Sequence, residues 1–347
     1  MAKELSFKLF GKTFTDKDNV TAKDAIALCG GDFEVTKEPL IRVSNEFISS
    51  IINGETPNVS SLNKNNIIQS FSATVRSDTN TTLGVVGKDY GIVQNTKAFD
   101  FIDFISDANN GISPIINGAG SLGYGERFYI SAKLGENMYL DENKKDEVER
   151  YIIFTNSHDG SGAVMAFISP IRVICKNTLN VAIRGAVNKI VFKHTKNVND
   201  RLDFTIMENK RKATEVLSKS IKFNDAWLEK MKEFKSVSLI PKDVEDFAVK
   251  MFADDKFELF EKANRNLDTI DEISTRSKNQ INSLIKEIHD GIGQNSYQGT
   301  KLWLLNGITT YLHNAKKYKS PEDEFVSMYE GDALKKTQKA YELLNAM

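Results

Sequence analysis

The sequence predicts an α+β fold in which a mainly antiparallel sheet with short helices comes first and a helical C-terminal half follows. Segments rich in β-branched and aromatic residues recur between residues 71 and 205, and apolar residues recur at helical spacing from about residue 206 onward. The chain of 347 residues is 40% apolar and 10% aromatic, which is enough for a substantial core. We therefore divide it into an N-terminal appended region (1–70), a β-rich core (71–205) and a helical region (206–347).

The appended region predicts a short hairpin and two short helices. The segment LSFKLFGKTF alternates apolar and polar residues around Gly11, which is typical of a hairpin. A helix is predicted to begin at Thr21 and to run through Leu28, because Thr followed by an acid three residues later is a capping pattern. A second helix is predicted from Ser44 to Ile52, and a polar loop follows it.

Strand patterns dominate the core. The six candidate strands are FSATVRSD, TTLGVVG, RFYISAKLG, RYIIFTNSH, GAVMAFISP and IRVICKNT. A further strand is predicted at residues 189–193. Residues 95–105 predict an amphipathic helix with Asn95 as its N-cap, and residues 178–186 predict another. Residues 111–127 contain five glycines and one proline, so we expect a turn-rich connector there.

Amphipathic patterns predict the helices of the C-terminal half. One long helix covers about residues 203–235, and Pro241 opens the next, since proline is tolerated in the first turn of a helix. Further helices are predicted at about residues 256–289, 300–317 and 332–344.

The charge of the chain is distributed unevenly. The whole chain carries a net charge of −1, which gives no overall attraction to nucleic acid or to a membrane. Between Arg172 and Lys222, however, twelve Lys and Arg stand against four Asp and Glu, a net charge of +8. Such a stretch predicts an anion-binding face, and the alternative is the solvated surface of a helix.

Several classes of protein are disfavoured by the motifs. No apolar run approaches 18 residues and the first residues lack the apolar run of a signal peptide, so we expect a cytoplasmic protein without membrane contact. Cys29 and Cys175 cannot make a disulfide framework. The phosphate loop GxxxxGK[ST] is absent, and residues 118–123 match GxGxxG without a following helix, which predicts a turn. We expect no cofactor.

The segment SHDGS (157–161) places polar groups between two strand candidates, where they need a partner or a purpose. We predict that Asp159 and Gly160 form a hairpin turn with His158 at its edge. The alternative is a pocket in which His158, Asp159 and His194 converge for acid–base chemistry. No metal site is predicted, because the four histidines lack HxH or HxxxH spacing.

The basic stretch predicts contacts to phosphate groups. Asn177 and Thr178 can cap the helix predicted after them, and a helix N-terminus beside Arg172 and Lys176 is suited to an anion. Residues 193–196 add cationic and hydroxyl donors.

Aromatic residues beside cations predict stacking on bases, since single-strand binders combine a basic track with exposed rings. We expect Tyr90, near Lys88, and Tyr129, near Arg127, to be partly exposed, although core packing is the commoner fate of such rings. The candidate nucleic-acid-binding residues are Lys88, Tyr90, Arg127, Tyr129, Arg172, Lys176, Lys193, His194, Lys196 and Arg201.

A family resemblance covers roughly residues 35–345. The segments LGVVGKDYGIVQNTKAFDFID, GAGSLGYGERFYISAKL, FTNSHDGSGAVMAFISPIRVICKNTL and KLWLLNGITTYLHN resemble the phage/plasmid-like protein family, a domain of unknown function. Members of this family are carried by phages, plasmids and integrated elements, so the resemblance implies the cytoplasm of a bacterial host. It implies no catalytic residues, because the family has no settled ones.

Two classes of function follow. The first is a DNA-binding accessory of mobile-element replication or recombination, which binds or anneals single-stranded DNA as a homo-oligomer; this rests on analogy of architecture. The second is an enzyme or anti-defence factor that acts on nucleotides through His158, Asp159 and His194. A structural oligomer without a ligand is the third alternative. The sequence leaves catalysis open, and we favour the first class.

Overall fold

The computed structural model describes residues 11–15, 18–100, 102, 114–135, 137–172, 189–203 and 207–347. Antiparallel sheets occupy the N-terminal half and helices occupy the C-terminal half, so the predicted α+β fold is confirmed. No helix in this part of the chain is long and apolar enough to cross a membrane. The helix predicted at residues 178–186, the strand predicted before Gly11 and the end of the helix predicted at 95–105 lie outside the described residues.

The described residues of the β-rich part form two antiparallel sheets. The strands, in chain order, are β1 (Lys12–Thr13), β2 (Val35–Ile41), β3 (Ile67–Arg76), β4 (Thr81–Gly87), β5 (Ile115–Leu122), β6 (Arg127–Lys133), β7 (Met138–Tyr139), β8 (Glu147–Ser157), β9 (Val164–Arg172) and β10 (Lys189–Phe192). The larger sheet has the order β1-β5-β6-β8-β9-β10, and β7 pairs with β8. Phe192 lies opposite Val164 and Arg127 opposite Ser157, so these four residues mark one end of this sheet.

The smaller sheet, of order β2-β3-β4, joins the appended region to the core. Val35 lies opposite Arg76, and the pairing continues to Ile41 opposite Ile67. No strand was predicted at β2, because its segment VTKEPLI combines charged residues with a proline. The boundary drawn at residue 70 falls inside β3.

Helices flank the sheets and then fill the C-terminal half. In chain order they are α1 (Ala22–Leu28), α2 (Asn45–Ile52), α3 (Asn95–Ala98), α4 (Val198–Arg201), α5 (Met207–Ser236), α6 (Pro241–Ala253), α7 (Phe257–Lys262), α8 (Thr275–Asp290), α9 (Lys301–Thr310), α10 (Pro321–Tyr329) and α11 (Asp332–Ala346). Thr21 caps α1 in a capping box and Ser44 caps α2, which confirms both predicted helix starts.

The helix predicted at residues 256–289 was wrong as a single element. Asn264 and Arg265 adopt φ of 51° and 66°, a left-handed conformation that a helix cannot continue. Ser274 then caps α8 as a separate helix. The helix α10 was missed, although Ser320 caps it and Pro321 occupies its first turn.

Two strand predictions were also wrong. Residues 111–127 were expected to form a connector, but β5 occupies residues 115–122. Its glycine and alanine residues are buried and α1 packs beside it, so the small residues allow a close approach rather than a turn. The two candidates GAVMAFISP and IRVICKNT were also taken as separate strands, whereas β9 runs through Pro170 to Arg172 as one strand; the remainder of the second candidate, residues 173–178, lies outside the described residues.

Each half of the molecule has its own apolar core. In the first, α1 and the segment after α3 pack against the larger sheet through residues such as Phe99 and Phe128. In the second, helices α5 to α11 pack against one another through buried residues such as Trp227 of α5 and Leu304 of α9. A third cluster lies between them, where Phe325 of α10 packs on the other face of the sheet.

Candidate functional site

Residues 157–161 form the turn between β8 and β9, so the predicted hairpin turn is confirmed. Gly160 adopts φ of 82°, a left-handed conformation that favours glycine. The Asp159 carboxylate accepts hydrogen bonds from the Ser161 backbone N–H (2.8 Å) and from the hydroxyls of Ser157 (2.5 Å) and Ser161 (2.7 Å). Burial raises the pKa of Asp159, but these hydrogen bonds outweigh burial and leave the pKa below its ordinary value.

The smaller sheet packs directly on this turn. The Thr74 hydroxyl of β3 donates a hydrogen bond to the His158 carbonyl oxygen at 2.6 Å. A Cβ atom on Gly84 of β4 would lie 2.5 Å from the Asp159 Cα, so only glycine allows the two backbones to approach this closely. The turn is therefore fixed from two sides, by β8 and β9 and by the smaller sheet.

His158 is fully buried in a network of amide side chains. Its Nε2 donates to the Asn95 Oδ1 at 3.0 Å, and the Asn156 Nδ2 donates to the same oxygen at 2.9 Å. The Asn95 Nδ2 in turn donates to the Gly31 carbonyl oxygen at 2.8 Å. Burial, together with the neighbouring His194, lowers the pKa of His158 to about 3, so its imidazole is neutral at physiological pH.

His194 brings together two loops that are 103 residues apart in the chain. Its Nδ1 donates to the Gly91 carbonyl oxygen at 2.9 Å, and the Gly91 N–H donates to the His194 carbonyl oxygen at 3.2 Å. The Tyr90 ring stacks on the imidazole, with ring centroids 4.6 Å apart and planes at 13°. The Tyr90 hydroxyl donates to the Ser157 carbonyl oxygen at 2.7 Å. Tyr90 is half-buried, which confirms its predicted partial exposure.

Each of the two imidazoles has one ring nitrogen without a hydrogen-bond partner among the described residues. These nitrogens are the His158 Nδ1 and the His194 Nε2. Burial also lowers the pKa of His194, although its hydrogen bond to Gly91 opposes the effect. Both rings are therefore neutral. In each, the nitrogen that donates the hydrogen bond carries the proton, and the nitrogen without a partner is the basic one.

Exposed cations lie next to Tyr90 and His194 in the two loops. Lys88 precedes Tyr90, and Lys193 and Lys196 flank His194; all three side chains are exposed. The exposed Arg201 of α4 donates through its Nη2 to the Lys193 carbonyl oxygen (2.7 Å) and to the Thr195 hydroxyl (2.6 Å), which holds the loop in place. The neighbouring exposed acids are Asp89 and Asp200.

The expected exposure of Tyr129 was wrong. Tyr129 lies in the middle of β6, between β5 and β8, and it is 0% exposed because Phe325 of α10 covers the ring at a centroid distance of 5.1 Å. Arg127 is also buried; it pairs with the Glu330 carboxylate and donates to the Ser161 hydroxyl at 3.1 Å. Arg127 contacts the turn through Ser161, and neither side chain contributes an exposed ring or cation.

The structure separates Arg172 from the other candidates. Arg172 ends β9 opposite Val148, whereas the turn precedes Val164, so about 26 Å of extended strand separates the Arg172 backbone from the turn. Lys176 lies outside the described residues. The structure thus brings together Lys88, Tyr90, Lys193, His194, Lys196 and Arg201, and we call this group the stack surface.

Sequence reasoning missed the amides that support the stack surface. Asn95 was predicted as an N-cap, but it is the first residue of α3, and its buried side chain bonds to Gly31 and Asn156 instead. The available signal was Asn156 itself, a polar residue inside an apolar strand. Among the described residues, no group of three or more His, Cys, Asp or Glu side chains is arranged to hold a metal ion.

Residues 82–331 match the family model of a domain of unknown function, DUF932. The match covers well over half of the chain. The chain belongs to the DUF932 family. No curated protein and no solved structure matches it. The matched range contains the turn, both loops of the stack surface and most of the helical half, whereas β2 and the first helices precede it.

Proposed function

We propose that this DUF932 member is a nucleic-acid-binding protein of a phage, plasmid or integrated element, and that its ligand is single-stranded DNA. The observation that carries the proposal is the convergence of a half-buried tyrosine and exposed cations from loops that are distant in the chain. Backbone charge and base stacking are the two interactions on which sequence-independent single-strand binding depends. In this proposal Lys193 and Lys196 contact phosphates, and the Tyr90 ring stacks on a base.

The stack explains why Tyr90 suits this role. His194 lies against one side of its ring and Ser157 accepts its hydroxyl hydrogen, so the ring is held in one orientation before any ligand arrives. A ring fixed in advance loses little conformational entropy on binding. The neutral imidazole adds no charge, so the attraction for phosphate comes from the lysines and Arg201.

The first test is fluorescence anisotropy with labelled single- and double-stranded oligonucleotides at two or more salt concentrations. We expect tighter binding of the single strand, with an affinity that falls steeply as salt rises. The double variant Lys193→Gln/Lys196→Gln removes two phosphate contacts, so the slope of log affinity against log salt should lose about 1.4. The matched control Lys262→Gln/Lys335→Gln changes two exposed lysines of the helical half and should leave the slope unchanged.

The stacking contact has its own matched pair. Tyr90→Ala should weaken single-strand binding by about 1–3 kcal/mol, whereas Tyr90→Phe keeps the ring and should stay close to the wild type. Absence of binding by the wild type at low salt would remove the nucleic-acid proposal altogether. Equal losses in the lysine variants and in their controls would move the binding surface elsewhere.

A second candidate function is an enzyme that acts on nucleotides. The observation that favours it is the pair of neutral imidazoles, each with one unused nitrogen, beside the Asp159 carboxylate. The variant His194→Gln should abolish turnover under this alternative and leave only a modest loss of DNA binding under the first. Nucleotide hydrolysis by the wild type, lost in His194→Gln, would favour the enzyme.

Self-association remains part of the first proposal. Sedimentation velocity with and without single-stranded DNA measures it directly. If an oligomer forms, Ile51 and Ile52 are the first residues to replace, because α2 buries none of its residues and both side chains are exposed.

A further inference from the structure

The smaller sheet and α2 carry a concentration of exposed apolar side chains that the stack surface does not use. Nine of the sixteen large hydrophobic residues that are exposed in the described part of the chain lie between Ile41 and Val85, and we call these nine the isoleucine surface. Their exposed fractions run from 40% to 78%, which corresponds to roughly 800 Å² of surface, about what each partner contributes to a standard-size interface. Monomeric soluble proteins rarely expose this much apolar surface in one region.

The helix α2 has no packing partner for its apolar stripe. Ile48, Ile51 and Ile52 lie three and four residues apart, so their side chains share one side of the helix. They are 44%, 57% and 78% exposed, and the helix buries none of its eight residues. A helix this short is marginal in water unless the packing of its apolar stripe stabilises it. The stripe therefore needs a partner outside its own chain.

The segment that carries α2 is joined to the open end of β2 and β3. Ile41 lies opposite Ile67 at the last position of the pairing, and both side chains are exposed. The Arg42 N–H donates to the Asn66 carbonyl oxygen at 2.8 Å, and the Asn66 Nδ2 donates to the Arg42 carbonyl oxygen at 3.1 Å. These hydrogen bonds close the segment at its base, so α2 leaves and returns to the sheet beside the two isoleucines.

The outer face of the smaller sheet adds a ring to the isoleucine surface. Phe71 of β3 lies opposite Gly87, and Val85 of β4 comes two residues before Gly87, so Phe71 and Val85 are diagonal neighbours on one face. They are 50% and 56% exposed. A Cβ atom on Gly87 would meet no atom within 4 Å, so this face is open.

The charge of the region distinguishes between possible partners. Residues 35–87 contain four Lys and Arg against four Asp and Glu, a net charge of zero, and α2 contains a single charged residue, Glu46. A nucleic acid or an anionic membrane surface is bound through cations, which α2 lacks. Two copies of an uncharged apolar surface, in contrast, meet without electrostatic repulsion.

We propose that the isoleucine surface binds the same surface of a second copy of this chain in a two-fold symmetric dimer. A two-fold axis places a patch against itself, so one apolar, uncharged patch is sufficient for both partners. Two such patches together bury about 1,600 Å², the standard size of a stable interface. The inference deepens the self-association in the proposed function and rests on it for the role of the dimer, which carries two stack surfaces for one strand.

Sedimentation velocity of the full-length protein without DNA, over a range of micromolar concentrations, tests the dimer. Ile51→Asn/Ile52→Asn should weaken self-association at least tenfold, because it places two amides in an apolar interface. Phe71→Ala, on β3, should weaken it as well. The matched control Ile240→Asn/Ile292→Asn changes two residues of the helical half that are each 62% exposed, and it should sediment as the wild type does.

Three results of this experiment would overturn the proposal. The first is a wild type that stays monomeric, and the second is a dimer that survives in both isoleucine-surface variants. The third is an equal loss in the control. A monomeric wild type that binds phosphatidylcholine vesicles through Ile51 and Ile52 would assign the surface to a membrane instead, and that would also exclude the dimer. Far-UV circular dichroism checks that the variants are folded, which we expect because α2 buries no residue.

Anisotropy with short and long single strands separates this inference from the proposed function. An oligonucleotide that fits one stack surface should bind Ile51→Asn/Ile52→Asn as it binds the wild type. One that reaches both surfaces should bind the variant about tenfold more weakly or worse, because the avidity of the dimer is lost. A dimer that depends on these isoleucines but binds no single strand would uphold the interface and remove the proposed function. A monomer that binds single strands would do the opposite.

Discussion

The loop after β4 and the middle of β6 each present a tyrosine two residues after a cation, yet their surroundings are opposite. Tyr90 is half-buried and its ring stacks on His194, and Lys88, two residues earlier, is exposed. Tyr129 is enclosed between the sheet and α10, and Arg127 pairs with Glu330. The difference teaches that the position of a residue in the sheet, rather than its neighbours in the chain, decides whether a tyrosine is enclosed in the core or stays partly exposed.

The physical reason is the number of strands and helices that cover each side chain. A residue in a central strand has strands on both sides and, in this protein, a helical half on one face and α1 and α3 on the other. A loop beyond a strand end has fewer neighbours, so a ring there keeps an exposed side. Each prediction below separates these two environments.

The largest expected difference is in stability. Tyr129→Ala should lower the free energy of unfolding by about 3–5 kcal/mol, because it empties a site among Phe325, Phe167 and their neighbours. Tyr90→Ala should cost far less, since its ring is only half-buried. Urea unfolding at pH 7 measures both variants. Equal losses would contradict the assignment of one tyrosine to the core and the other to a surface.

The cations should show a smaller contrast in the same assay. Arg127→Met leaves the Glu330 carboxylate without its partner, and burial already raises the pKa of that carboxyl. We expect a loss of about 2 kcal/mol, less than for a fully buried pair, because the Glu330 side chain is 20% exposed. Lys88→Met should stay within about 0.5 kcal/mol of the wild type.

The double variant Arg127→Met/Glu330→Gln provides the control for this ion pair. It removes both charges, so it should recover most of the loss seen in Arg127→Met. If the double variant were as unstable as the single one, the loss would come from packing of the arginine stem rather than from the unpaired carboxylate.

The last contrast concerns the protonation of a histidine beneath the stack. The pKa of His158 is lowered from 6.5 to about 3, so the unfolded chain binds its proton first as the pH falls. The contribution of this group to the free energy of unfolding is therefore complete above pH 6.5. It falls by about 1.4 kcal/mol for each pH unit between pH 6.5 and pH 3. Unfolding midpoints at pH 7, 6 and 5 measure the decline.

His158→Gln is the matching variant, because the glutamine nitrogen can replace Nε2 as the donor to Asn95. It should flatten the decline between pH 6.5 and 5, whereas His289→Gln, on the surface of α8, should keep it. An unchanged decline in His158→Gln would assign the acid sensitivity to other groups.

The sequence predicted local features well and long-range ones poorly. The strand at β4, the caps at Thr21 and Ser44 and the SHDGS turn follow from neighbouring residues, and the structure confirms them. The small residues of β5 were misread because their purpose is set by α1, which lies about ninety residues earlier. The burial of Tyr129 depends on α10, almost two hundred residues later, so no local pattern reveals it.

The pairing of Gly91 with His194 has a consequence for how the protein is made. The contacts that hold the stack link residues 103 positions apart, and such contacts form slowly because the closure of a long loop comes first. During synthesis, the ribosome exposes the first loop well before the second. A nascent chain that ends before His194 therefore cannot form the stack, and the stack surface is complete only once α4 has left the exit tunnel.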